Sequence, residues 1–133
     1  MKFSTKTDYG LRAMIILAQR YNDNKIISLS SISKKEDISQ PYLEILIAKL
    51  KKDKLVESTK GIRGGYRLAK KPEDISLIEI IECLDGPISV FECVYSYADR
   101  ICDKKNCQVN DVWSNLQITI TNFLKDAKLS NLI

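Results

Sequence analysis

A mainly α fold, carrying one small β-hairpin and ending on a long helix, is what this 133-residue sequence predicts. Three observations carry the prediction. Apolar residues recur at helical spacing in successive stretches from residue 5 onward. A cluster of glycines, Gly61 and Gly64-Gly65, separates two short β-like runs. From Gln108 a single apolar stripe continues over five turns. With 44% hydrophobic residues, a chain of this length has enough apolar side chain for one packed core.

The elements follow in order. Residues 5–21 predict a helix, with Leu11, Met14, Ile15 and Ala18 on one face and Ser4 or Thr5 as its cap. Asn22-Asp23-Asn24 ends it, and Ile26-Ile27 is a short extended piece. Ser28 then caps a second helix to about Lys35, its Leu29 and Ile32 facing inward, and Asp37-Ile38-Ser39 makes a tight turn. Ser39 is also placed to cap the third helix, whose first turn tolerates Pro41 because the N–H it lacks would have no helical partner. Leu43, Leu46, Ile47 and Leu50 follow at i, i+3, i+4 and i+7. Burying that stripe turns Gln40, Glu44, Lys51 and Lys52 outward. Leu55–Ser58 and Tyr66–Leu68 predict two strands, with Lys60 and Arg63 at the tip between them. Ser76-Leu77-Ile78-Glu79 is a capping-box sequence opening a helix that stops at Asp85-Gly86-Pro87. Residues 88–107 read as irregular, and the last helix presents Val109, Val112, Trp113, Leu116, Ile120, Phe123, Leu124 and Ala127 on one side. That stripe exceeds what a small domain needs for itself and predicts packing against a second subunit, a homodimer.

Two helices joined by a tight turn and followed by a basic hairpin describe a winged helix-turn-helix. The charge distribution agrees. Residues 1–72 hold 16 Lys+Arg and 7 Asp+Glu, a balance of +9; residues 73–133 hold 5 and 10, a balance of −5. We therefore expect a DNA-binding winged helix-turn-helix over 1–72 and a cysteine-bearing loop with a dimerisation helix over 73–133. No run approaches a membrane span and Met1–Lys6 lacks the apolar stretch of a secretory signal, so a soluble cytoplasmic protein is expected. The chain has no histidine, which excludes histidine-dependent triads, a histidine base and imidazole-ligated metals. With no phosphate-cradling glycine loop and no carboxylate pair identifiable by spacing, an enzyme is not expected.

A helix-turn-helix sets the N-terminal part of its second helix against base edges in the major groove. Here that surface offers Ser39, Gln40, Tyr42 and Glu44. Gln pairs with adenine; Glu accepts from the cytosine amino group while repelling phosphates, which sharpens selection. Lys49, Lys51, Lys52, Lys60, Arg63 and Arg67 suit phosphate or minor-groove contacts with a double-stranded operator. Taken singly, each of these charges is an ordinary solvated side chain; the ordered combination points to DNA.

Four cysteines remain: Cys83, Cys93, Cys102 and Cys107. In a cytosolic chain such a group means metal or redox chemistry more often than disulfides. The last three, with eight and four residues between them, share one loop and suit a soft metal centre: iron–sulfur, zinc or copper(I). Without the short pairs of common zinc sites, the spacing leaves open a thiol–disulfide switch or three ordinary thiols. Cys83 falls at Leu77, Ile80 and Leu84 spacing and reads as a core thiol, with a fourth metal ligand as the alternative.

Ser4–Ala13 (STKTDYGLRA), Ile38–Glu44 (ISQPYLE) and Gly61–Ala69 (GIRGGYRLA) together resemble the IscR-type family of bacterial winged-helix regulators, which includes the nitric-oxide sensor NsrR and the cysteine-metabolism regulator CymR. Glu79-Ile80-Ile81-Glu82, Gly86-Pro87-Ile88 and Asp111-Val112-Trp113 extend the likeness through the chain. The resemblance implies a homodimer on a partly palindromic operator, long C-terminal helices crossed between subunits, base reading by Ser39 and Glu44, and a wing in the adjacent minor groove. It also implies an iron–sulfur cluster on Cys93, Cys102 and Cys107, with 2Fe–2S favoured over 4Fe–4S. The fourth ligand departs from IscR, which has a histidine three residues after the third cysteine; here that residue is Asn110. The NsrR-like alternative is an N-terminal aspartate from the partner subunit, at the position of Asp8. The expected function is a transcription regulator whose operator affinity is controlled by that cluster. The alternatives are a thiol- or zinc-based repressor of the CymR kind and an iron–sulfur electron carrier.

Overall fold

The computed structural model describes residues 2–91 and 107–133. Its elements are α1 (Thr5–Gln19), α2 (Leu29–Glu36), α3 (Gln40–Lys52), β1 (Val56–Thr59), β2 (Gly65–Leu68), α4 (Leu77–Asp85) and α5 (Gln108–Asp126), with 3-10 turns at Pro72–Asp74 and Leu129–Leu132. The expected mainly α winged helix-turn-helix with a long last helix is what the chain adopts. The first helix ends two residues before the expected boundary, at Gln19, and α5 stops at Asp126, so Ala127 is its C-cap rather than part of its stripe.

Helical periodicity explains the core. Leu43, Leu46, Ile47 and Leu50 of α3 bury completely against Ala13, Met14 and Leu17 of α1 and Ile32 of α2. Asp37 ends α2 in the left-handed conformation (φ 54°, ψ 46°), and that reversal turns the chain from α2 into α3. β1 and β2 pair antiparallel in the register Val56↔Leu68, Glu57↔Arg67, Ser58↔Tyr66 and Thr59↔Gly65. The extended Ile26-Ile27 piece adds one rung: the Ile27 N–H donates to the Tyr66 carbonyl at 2.9 Å and the Tyr66 N–H returns a bond at 2.8 Å.

The same core takes Ile75, Ile80 and Leu84 from the α4 region and Leu129 from the C-terminal tail. The tail returns because the Leu129 N–H donates to the Ile75 carbonyl (2.8 Å) and the Leu77 N–H to the Ala127 carbonyl (2.9 Å). A smaller apolar cluster of Ile78, Ile81, Ile88 and Leu124 joins α4 to α5.

Two capping expectations hold and two are corrected. Ser28 accepts from the Ser31 N–H at 3.1 Å, and Glu79 Oε2 accepts from both the Ser76 N–H (2.8 Å) and the Ser76 hydroxyl (2.9 Å). Ser39 and Ser4 occupy N-cap positions without side-chain cap bonds. For α1 the capping charge comes from the far end of α4. The Asp85 carboxylate accepts from the Ser4 N–H at 3.1 Å and also from the Ser4 and Thr7 hydroxyls. A carboxylate at a helix N-terminus is favoured by the macrodipole, so a residue 81 positions away does the work expected of Ser4. No helix among the described residues is long and apolar enough to cross a membrane.

Candidate nucleic-acid interface and cysteine centre

The α2–α3 turn leaves the start of α3 at the surface. Ser39, Gln40 and Glu44 are exposed there, as are Lys51 and Lys52 at the other end of the helix. An exposed amide, carboxylate and hydroxyl on one helix N-terminus form the donor and acceptor set that base edges require. Tyr42 is different: it is half-buried, packs on the core, and sets its ring edge-on to Tyr9 at 5.9 Å between centroids.

The wing is built on glycine. A Cβ on Gly65 would come within 2.4 Å of the Ile27 carbonyl oxygen, so only glycine lets β2 lie this close to the Ile26-Ile27 strand. Gly61 has φ +113°, a backbone conformation that other residues resist, and the Gly64 N–H donates to its carbonyl at 2.9 Å. Lys60 and Arg63 stand exposed on this turn, and among the described residues neither has an ion pair. Arg67, expected to suit phosphate or minor-groove contacts, has its guanidinium paired with Glu57 across the hairpin and donates to Asn24 Oδ1 at 2.9 Å. The cross-strand register Glu57↔Arg67 makes that pair, and only the register would have revealed it.

Of the expected cluster ligands, Cys93 and Cys102 lie outside the described residues. Cys107 is a free, half-buried thiol at the N-cap of α5. A metal-bound thiolate there would face the positive end of the helix dipole. Asp8 sits in the first turn of α1, exposed, with its Oδ2 accepting from Arg12 Nε at 3.0 Å; Arg12 Nη1 also reaches Glu36 at 3.4 Å. These two carboxylates hold the Arg12 guanidinium above its ordinary value, the Asp8 hydrogen bond contributing most. Among the described residues no three potential ligands gather into a metal site.

Cys83 is packed against the core from α4. Burial first, and then its hydrogen bond to Asp53, pushes the thiol up to about 12, so at neutral pH it is protonated and not a ready ligand or nucleophile. Residues 88–90 are tied to α5 by a buried amide. Gln117 Oε1 accepts from the Val90 N–H at 2.9 Å, and its Nε2 donates to the Ile88 carbonyl at 2.9 Å and to the Thr121 hydroxyl at 3.2 Å. Trp113 stacks on Phe91 at 5.5 Å with 12° between planes. Gln117 and Asp85 are site-supporting residues that sequence reasoning missed, because each acts on backbone or hydroxyls distant in sequence.

Comparisons with known proteins agree with this architecture. The Rrf2 family model, described as an iron-dependent transcriptional regulator, matches residues 3–133. The chain is 34% identical to the HTH-type transcriptional regulator IscR of Cereibacter sphaeroides over 135 residues, covering 100% of this chain and 87% of that protein. It is 33% identical to the HTH-type transcriptional regulator CymR of Bacillus subtilis over 132 residues, covering 99% and 89%. Among solved structures, CymR, described as the global cysteine regulator of B. subtilis, superposes with a TM-score of 0.85 at 32% identity, covering 99% of this chain and 95% of that one. The structure of T. potens IscR gives 0.78 at 34% identity, covering 99% and 85%.

Proposed function

The chain belongs to the Rrf2 family of transcriptional regulators, and from that premise we propose that it acts as a homodimer on a double-stranded operator, with an iron–sulfur cluster controlling its affinity. One observation carries the DNA half of this reading. An exposed helix N-terminus bearing Ser39, Gln40 and Glu44 occurs in the same domain as a glycine-built wing whose Lys60 and Arg63 have no ion pair among the described residues. Lys51 adds a third cation suited to phosphate, and Tyr42, braced by Tyr9, supports the reading face from beneath. Residues 1–72 would read DNA, and residues 73–133 would sense and dimerise.

For the cluster, the test is the donor set. Cys93, Cys102, Cys107 and the partner subunit's Asp8 supply three soft thiolates and one harder oxygen, and the chain has no histidine to complete the set otherwise. That set fits an iron–sulfur cluster. Such a group supplies a redox-active centre, and a carboxylate ligand makes its retention more labile than four thiolates would. Cys83, half-buried on α4 with its thiol pushed up by desolvation and by Asp53, suits the set less well. The family description as iron-dependent supports this reading. The printed description of CymR as a cysteine regulator supports the second one, a thiol- or zinc-based repressor. The IscR and CymR relatives are named as transcriptional regulators, which favours a regulator over an electron carrier.

Iron and sulfide analysis of anaerobically purified protein separates the two. The cluster reading expects brown protein with about one cluster per subunit, bleached by Cys93→Ala, Cys102→Ala or Cys107→Ala, weakened by Asp8→Ala and unchanged by Cys83→Ala. Full colour in all three loop-cysteine variants would overturn it, and stoichiometric zinc without iron would establish the second reading.

A further inference from the structure

Ile62 is the most exposed large apolar side chain described, at 108% relative exposure. It lies in the wing turn closed by the Gly64 N–H to the Gly61 carbonyl. An added Cβ at Gly61 would meet nothing within 4 Å, so this part of the turn stands clear of its own fold. Below it the hairpin is pinned by the Thr59↔Gly65 pair and by the two-bond rung between Ile27 and Tyr66. Ile62 is therefore presented on an anchored hairpin, bracketed in sequence by Lys60 and Arg63. The acid on the same hairpin, Glu57, is taken by Arg67 and does not neutralise the tip.

We infer that Ile62 is an apolar contact residue for the minor groove of duplex DNA, seated between the phosphates that Lys60 and Arg63 engage; this rests on the DNA-binding reading above. An aliphatic group bracketed by cations matches a groove about 6 Å wide with anionic edges and C–H-lined walls, which admits one side chain. A single isoleucine is too little apolar surface to anchor the chain in a lipid layer. In the groove, Ile62 packs on sugar walls and on the floor of A·T pairs. A guanine there places its 2-amino group in that space, so Ile62 adds an A·T preference that cations alone do not give.

The test uses the full-length protein and a duplex that the wild type selects from a random-sequence pool, with affinity read by anisotropy across a salt series. Ile62→Ala is expected to lose about tenfold in affinity, or about 1.4 kcal/mol, with the slope of log affinity against log salt unchanged. Lys60→Ala is expected to flatten that slope. Replacing the A·T pair under the wing by G·C is expected to weaken the wild type. Inosine·C, which lacks the 2-amino group, is expected to restore it, and Ile62→Ala is expected to respond to neither change. Full affinity of Ile62→Ala on a duplex the wild type binds tightly would overturn this inference and leave the DNA-binding reading intact. Failure of the wild type to bind any selected duplex, or retention by anionic vesicles instead, would overturn both.

Discussion

α3 and α5 carry the same kind of apolar stripe and meet opposite fates. In α3, Leu43, Leu46, Ile47 and Leu50 are no more than 1% exposed. In α5, Val109, Val112, Leu116 and Phe123 are 41–68% exposed, while Asn110, Gln117 and Leu124 are the residues buried against the rest of the chain. Periodicity thus announces a face that needs covering and is silent on whose surface covers it. A long helix with these apolar residues outward suits the homodimer of the proposed function, in which a second copy would cover them.

Four perturbations probe the difference between the covered stripe and the uncovered one. The largest effect is expected in α3. Leu46→Ala leaves a cavity in a closed core and is expected to cost about 2–5 kcal/mol in chemical denaturation at any protein concentration. Val112→Lys combined with Phe123→Lys should leave subunit folding intact while weakening self-association about a hundredfold, read by sedimentation. Concentration-independent behaviour in both wild type and variant would refute the pairing role of α5. Next, Gln117→Leu removes the acceptor of the Val90 N–H and is expected to cost about 1–3 kcal/mol, because a buried hydrogen bond is lost without shedding volume.

The smallest effect is electrostatic. Burial pushes the Asp85 carboxyl up, but the Ser4 and Thr7 hydroxyls, the Ser4 N–H and the Lys6 charge outweigh it and hold it below the usual carboxylate range. Glu79 is likewise raised by burial and lowered further by the Ser76 N–H, the Lys70 ammonium and the Ser76 hydroxyl. Both folded values are depressed, so the unfolded chain binds more protons. Their stabilisation is present at neutral pH and is lost as pH falls through about 4 and below. Thermal melts from pH 7 to 3 are expected to show that decline, with Asp85→Asn and Glu79→Gln flattening it. A loss complete above pH 5 would implicate other groups.

The local features of this fold were legible in the residues. The α3 stripe, the Ser28 cap, the Ser76–Glu79 box and the glycine-bounded hairpin each complete themselves within a few positions. What was not legible depends on partners far along the chain. Ser4 and Ser39 carry the right side chain for a cap, yet Ser4 gives its hydroxyl to Asp85 instead. The return of Leu129 to Ile75 and the clasp of Gln117 on Ile88 and Val90 leave no periodic trace, since each joins one residue to another chain segment. Arg67 reads as one more wing cation until the register sets Glu57 opposite it. At the candidate site, the exposure of Gln40, Glu44, Lys51 and Lys52 followed from the buried stripe by geometry. The cysteine triad is a matter of chemistry and spacing, with Cys107 alone among the described residues.

The most direct test of cluster control measures operator affinity twice on one anaerobic preparation at fixed salt: once as purified, and again after chelation has removed the iron. The account predicts a large change in affinity on cluster loss, at unchanged dimer mass, and recovery after reconstitution with iron and sulfide. Identical affinity with and without iron, in protein that demonstrably carries and then loses the cluster, would contradict it.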